Sequence, residues 1–257
     1  MDELETDYGR EYAEIYDLIT GHKDYSTEVD VLTKYIKNKC KSRNILSIGC
    51  GTGSHEALIA KHGFKVFGID NAPEMLRLAE LKSTENCKFG LSYESAHQFF
   101  QKPKVDCIIS LFNVVNCLPS IDSLRSFFLD IRSNLSDDGI LFFEAWNGKE
   151  CQIIPPKRVD REYRSDNYFI HREAIPEMIS GAEKMEIKYN IYGSYEAKDF
   201  NFTALHKIML FDPRDIIKEL SSLGFTKVHV FSALPRLDSL NISNLDGNRM
   251  LAFSAEL

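Results

Sequence analysis

The stretch Ile45–Glu56, ILSIGCGTGSHE, decides the fold. A short apolar run, Asn44–Ile48, ends in three glycines at alternate positions: Gly49, Gly51 and Gly53. The segment Ser54–His62 then has helical character. Glycines between a strand and a helix allow backbone angles closed to other residues, and they let a ligand lie against bare chain at the helix start. Working outward, Lys65–Ile69 reads as the next strand and ends at Asp70, nineteen residues after Gly51. In doubly wound folds an acid at that place accepts hydrogen bonds from ribose hydroxyls. The spacing therefore predicts a site for an adenosine-like ligand. The dinucleotide pattern Gly-x-Gly-x-x-Gly is not met: its last position falls on Ser54 or Glu56.

The alternation continues. Pro73–Leu81 reads as a helix, Cys87–Gly90 as a weak strand and Val105–Phe112 as a strong one. Ile121–Leu135 follows as a helix, Asp137–Gly139 as a turn and Ile140–Ala145 as a strand. Apolar strands separated by helices of about ten residues imply a parallel sheet covered on both faces. Upstream, residues 7–39 read as two helices broken at Gly21. Downstream, KECQIIPPKRVDREYRS (149–165) reads as a polar loop or lid. Tyr168–Arg172, Lys184–Tyr192 and Leu205–Phe211 then read as strands without helices between them, which means antiparallel pairing. Asp212 caps a last helix with Pro213 in its first turn, and Lys227–Phe231 and Met250–Ser254 are the final strands. The expected organisation is a helical lid at 1–39, a core at 40–148, an antiparallel cap at 149–211, and a C-terminal part at 212–257 that completes the core sheet.

Composition narrows the function. The chain has 257 residues, 31 Lys+Arg against 38 Asp+Glu, and a formal charge of −7. An acidic surface disfavours polyanion binding. No apolar run approaches the ~18 residues that span a bilayer, and the acidic start MDELETDYGREY lacks a secretory layout. The six cysteines form no Cys-x-x-Cys pair and no zinc-like cluster. A cytoplasmic protein with reduced thiols and no metal is expected. The expected partner is a small-molecule acceptor, with neither nucleic acid nor membrane, and a homodimer is left open.

The run Gly49-Cys50-Gly51-Thr52-Gly53 resembles the first motif of class I S-adenosylmethionine-dependent methyltransferases. GIDNAPEML (Gly68–Leu76) resembles the second, SLFNVVNCL (Ser110–Leu118) the segment after the fourth strand, and DDGILFFEAW (Asp137–Trp146) the turn and fifth strand. The resemblance implies a Rossmann-like, mostly parallel seven-stranded sheet with S-adenosylmethionine as cofactor. It implies cofactor contacts from Gly49, Cys50, Gly51, Thr52, Asp70, Asn71 and Met75. Further contacts are expected from Ser92, Tyr93, Leu111 and Phe112, and from Tyr12 and Tyr25 in the lid. Two departures stand out: Ser47 replaces the acid common two residues before the first glycine, and Leu91–Tyr93 replaces the Asp common after the third strand.

The tyrosine-rich first helix, His55–Glu56, EAWNG and HKIMLFDPRDIIKELSSLGF are similar to the nucleotide-linked amino-sugar N,N-dimethyltransferases, although Cys117 stands where a His is expected. The candidate catalytic residues are Tyr16, Asn113, Asn116 and His206, with Trp146 and His171 also in reach. Four arginines of the insert, Arg158, Arg161, Arg164 and Arg172, form either a solvated face or a site for a phosphate-bearing substrate. A non-catalytic cofactor-binding module and a macromolecular methyltransferase remain as alternatives. The second would want an Asn/Asp-Pro-Pro-Tyr motif where FNVVN stands.

Overall fold

The computed structural model describes residues 8–179 and 183–257. Residues 1–7 of the expected lid, with the start of its first helix, and residues 180–182 of the expected cap lie outside the described residues. The core is a seven-stranded sheet in the order β10-β11-β5-β4-β1-β2-β3. Strands β1 (Asn44–Ile48), β2 (Lys65–Ile69), β3 (Cys87–Gly90), β4 (Val105–Ser110) and β5 (Leu135–Trp146) pair in parallel. Strand β11 (Met250–Glu256) runs antiparallel to both β5 and β10 (Thr226–Ser232). The expected mostly parallel, doubly wound α/β sheet is therefore present. Its strand order reverses at β1 and β4, and the crevice beyond their carboxyl ends is where such sheets take ligands.

Alternating strand residues supply two core faces. Ile45, Val66, Cys107, Ile109 and Phe142 pack under α2 (Tyr25–Ile36) and α3 (Ser54–Lys61). Leu46, Phe67, Ile108, Leu141 and Phe143 pack under α5 (Tyr93–Phe100), α6 (Ile121–Asn134) and α8 (Pro213–Ser222). Helix α8 starts as its sequence dictates: Asp212 accepts from the Arg214 N–H, Pro213 follows, and Ile216 and Leu220 are buried on one face. Asp24 caps α2 in the same way, from the Thr27 N–H.

Strands β6 (Val159–Ser165), β7 (Tyr168–Ile179), β8 (Lys184–Tyr195) and β9 (Lys198–Met209) form a separate four-stranded antiparallel sheet. Its apolar face packs on α1 (Arg10–Thr20) and on Ala72 and Met75 at the start of α4 (Pro73–Glu80). Helix α1 thus lies between core and cap.

The structure corrects the expectation in three places. Residues 149–165 are not all loop: Gly148–Ile153 form α7, capped by Asn147, and β6 is a strand. β6 lies at a sheet edge, where charged residues such as those of VDREYRS are usual and hide a strand in the sequence. Helix α5 falls where only a connecting segment was read, because eight residues with Ala96 and Phe100 buried carry little periodic signal. The Asp137–Gly139 turn is absorbed into β5, which begins at Leu135 by pairing with Val105. Among the described residues no helix is long and apolar enough to cross a membrane.

Candidate active site

At the end of β1 the chain turns sharply, and Gly49, Gly51 and Gly53 all have positive φ, +72°, +54° and +75°. The three differ in what a side chain would meet. A Cβ at Gly49 would lie 2.3 Å from Val114 and one at Gly53 2.5 Å from Phe89, whereas at Gly51 nothing lies within 4 Å. The outer two glycines are required by packing. Gly51 presents bare backbone to open space.

Asp70, at the tip of β2, accepts from the Gly51 N–H (2.7 Å) and from the Ala72 N–H (2.9 Å). It joins the loop to the start of α4. Burial pushes its carboxyl up, against the pull of the Ala72, Gly51 and Asn71 amides. Asn71 is exposed beside it, while Met75 is packed between α4 and α1. Cys50 is a neutral thiol, pushed up by burial and by the Glu56 and Asp70 carboxyls.

A carboxylate that the sequence reading missed lies beneath the loop. Ser47 donates to Glu56 Oε1 at 2.6 Å. Glu56 is 2% exposed, and its Oε2 has no hydrogen-bond partner among the described residues. Its carboxyl is pushed up by burial. The acid missing at position 47 is supplied nine residues later, from the first turn of α3.

The segment after β4 is strained. Phe112 and Asn113 both have left-handed φ, +62° and +66°, at a cost of about 1–3 kcal/mol each. Buried Glu144 of β5 holds the turn, accepting from the Phe112 N–H (3.1 Å) and the Leu234 N–H (3.2 Å). The Phe112 ring is exposed under the Lys23 ammonium, 4.0 Å from its centroid, and Leu111 is buried in the core. Asn113 Oδ1 is buried and has no hydrogen-bond partner among the described residues.

Asn116 behaves differently. Its amide donates to the Met209 carbonyl (2.7 Å) and accepts from the Trp146 N–H (2.9 Å), so both ends are committed to backbone. Its position makes it a latch between β9 of the cap and β5 of the core. Asn116, expected among the catalytic residues, therefore has both ends of its amide on backbone.

The lid brings aromatic residues to the same place. Asp17 of α1 accepts from the Thr52 hydroxyl (2.5 Å) and from Lys82 Nζ (2.6 Å), which also donates to the Thr52 carbonyl (2.7 Å). This fastens α1 across the glycine loop. Tyr12 and Tyr16, one turn apart, have ring centroids at 6.0 Å. Burial raises both phenols, so they are protonated at neutral pH. His206 of β9 lies against Tyr12 (5.4 Å), Tyr8 (4.7 Å) and Tyr189 (4.8 Å). Tyr25 packs edge-on against His55 (4.7 Å), whose ring meets Glu28 at 2.9 Å.

Ser92 caps α5 by accepting from the Ser95 N–H, and Tyr93 packs on the sheet core, its phenol pushed up to about 12 by burial and by Asp130.

Against known proteins, a model of the family described as "Methyltransferase domain" matches residues 21–230. The chain is 22% identical over 220 residues to dTDP-3-amino-3,4,6-trideoxy-alpha-D-glucopyranose N,N-dimethyltransferase of Streptomyces venezuelae, covering 84% of this chain and 91% of that protein. It is 27% identical over 144 residues to a putative methyltransferase of Geobacillus sp. (strain WCH70), where it spans about half the length, 56%, of that relative. Among solved structures it resembles Streptomyces venezuelae DesVI with a TM-score of 0.75 at 18% identity, covering 95% and 97% of the two chains. It also resembles an S-adenosylmethionine-dependent methyltransferase from Clostridium acetobutylicum with a TM-score of 0.73 at 19% identity, covering 96% and 98%. At such identities the structural likeness speaks for the fold, while the family match extends over most of the chain. With a glycine loop, a strand-tip acid and a strained turn after β4 at one crevice, the chain belongs to the methyltransferase domain family.

Proposed function

We propose that this protein is an S-adenosylmethionine-dependent methyltransferase that acts on an amine or hydroxyl of a small molecule. One observation carries the reading. Gly51 turns bare backbone at φ +54° toward open space, beside an aspartate at the tip of the adjoining strand. A nucleoside with two ribose hydroxyls fits that acid, and an amino-acid tail fits the bare loop. The orphaned Oε2 of Glu56 suits an ammonium group.

The cofactor supplies an electrophilic methyl on a sulfonium sulfur. The chain's own residues position, orient and exclude water, which is where most of the rate comes from in such a displacement. Helix α1, latched through Asp17 to Thr52, covers the loop. Tyr12, Tyr16 and His206 build an aromatic wall at the acceptor side. Asn113 Oδ1, held by the strained turn, accepts a hydrogen bond from the acceptor and aims its lone pair. An amide oxygen orients an amine but does not take a proton, so this geometry favours an amine that enters neutral over an alcohol that needs a general base. The dimethyltransferase relatives make a nucleotide-linked amino sugar one candidate.

Calorimetry with S-adenosylhomocysteine tests the cofactor reading. Binding on the order of micromolar is expected. No heat and no thermal stabilisation would overturn it. Transfer of a labelled methyl group to a panel of amines and matched alcohols tests the acceptor class, with the amines expected to react.

A further inference from the structure

The four arginines of the insert separate in the folded chain. Arg158 pairs with Asp160 (3.2 Å) and Glu173 (2.5 Å), Arg164 with Glu162 (2.8 Å), and Arg161 meets His22 at 2.8 Å. Arg172 has no carboxylate within 4 Å among the described residues, and its Nε is buried without a hydrogen-bond partner there.

Register shows where it faces. Residues directly opposite one another in a sheet share a face. Arg172 lies opposite Ile191, and Tyr163 opposite Ile170. Ala174 lies opposite Tyr189, and Ile187 opposite His206. Arg172, Tyr163, Tyr189 and His206 therefore share the inner face of the cap, the one that packs on α1. The guanidinium carbon sits 4.2 Å from the Tyr189 ring centroid. The Tyr163 hydroxyl is a second buried donor without a partner among the described residues. Burial raises the Tyr12 and Tyr189 phenols against the pull of the Arg172 charge, so both keep their protons.

The inner face thus carries Arg172 among phenols, with no carboxylate within 4 Å of it among the described residues, and Arg161 directly opposite it, turned to His22. A guanidinium whose Nε is buried without a carboxylate partner is unfavourable, and a fork of N–H donors ringed by O–H donors matches a planar oxyanion. We propose that this inner face is the acceptor's anchoring site, and that the acceptor is a small molecule bearing a carboxylate as well as the nucleophile to be methylated. The proposal rests on the methyltransferase reading above. Tyr12 touches this cluster, and Tyr16, one turn along α1, neighbours the loop latch at Asp17.

The test uses the full chain saturated with S-adenosylhomocysteine, at constant ionic strength balanced with chloride. Benzoate, its neutral isostere benzamide and dimethyl phosphate are titrated while Tm is followed. Benzoate is expected to raise Tm with concentration and benzamide to leave it unchanged. Arg172→Met should weaken the benzoate response at least tenfold, and Arg172→Lys, which keeps the charge but not the fork, should fall between. Equal responses to benzoate and benzamide, or a wild-type benzoate response in Arg172→Met, overturn the proposal. A response to dimethyl phosphate stronger than that to benzoate overturns the carboxylate assignment. Should Arg172→Met not fold, Tyr163→Phe replaces it. That variant removes only an unpartnered hydroxyl and is expected to weaken benzoate severalfold, and an unchanged response would count against the site. If S-adenosylhomocysteine itself gives no stabilisation, the cofactor reading fails; if it stabilises and benzoate does not, only the present inference fails.

Discussion

The two halves of the active site are built by opposite means. The cofactor half comes from one short length of chain, β1 through the start of α4. Its working groups are peptide N–H groups and carboxyls: Gly51, Asp70 and Glu56. In the proposed function, the acceptor half gathers side chains from α1, the turn after β4 and the cap strands, separated by up to two hundred residues. Backbone at a strand tip is placed by the sheet itself, so the first half tolerates little change. Side chains on a packed cap can be exchanged without altering the core sheet.

The largest effect expected is at Gly51. Gly51→Val fills the open space and forces a β-branched residue to positive φ, at ~1–3 kcal/mol for the strain alone. Cofactor affinity should drop by about a hundredfold or more by calorimetry, with a normal circular dichroism spectrum. Retained affinity would break the assignment of the cofactor half.

The two asparagines after β4 sharpen the contrast. Asn116→Ala removes the partner of the part-buried Met209 carbonyl and Trp146 N–H and should cost about 2–3 kcal/mol, seen as a Tm lower by roughly 4–10 °C. Asn113→Gly should leave Tm unchanged or raise it, because glycine relieves the left-handed strain, while slowing single-turnover methyl transfer to any acceptor that reacts. Equal losses of Tm at both positions would deny Asn113 a role beyond structure.

Asp70→Ala removes a carboxylate that serves the loop and, in the proposed function, the ribose. Cofactor affinity should weaken by ~1–3 kcal/mol, and the benzoate response should persist. Unchanged affinity would remove Asp70 from the site.

The smallest effect is pH-dependent. The Glu56 carboxyl is raised from its ordinary 4.5 by burial, so its contribution to stability is greatest below 4.5 and is lost as pH rises through the raised value. Glu56→Gln should therefore gain in Tm relative to wild type as pH rises, and lose about 1–2 kcal/mol of cofactor binding. Glu28 runs the other way. Burial opposes its charge, but His55 and Lys23 hold its carboxyl below 4.5, so its contribution is present above 4.5 and is lost as pH falls through the lowered value. Parallel pH profiles for Glu56→Gln and Glu28→Gln would contradict this division.

Much of the cofactor half was legible in the sequence, since glycine spacing, strand ends and helix caps are local properties. Asp70, Gly51 and the Asp212 cap stand where they were read. Glu56 was not recognised, because its value depends on Ser47 across a turn. The cap was read only in outline: its edge strand β6 is charged for reasons of sheet chemistry, and a charged stretch looks like loop. Asn116 looked equal to Asn113 by sequence, and only folding separates them, one bonded to two backbone groups and the other with a buried Oδ1 that has no hydrogen-bond partner among the described residues.

What the sequence by itself determined is the parallel sheet, its glycine loop and its strand-tip acid, because period, φ preference and capping act over a few residues. Only the tertiary structure decided which arginine of four has a buried Nε and no carboxylate within 4 Å among the described residues, and which tyrosines surround it. Burial and pairing arise from contacts among β6, β7, β8 and α1, and no local stretch of chain encodes them.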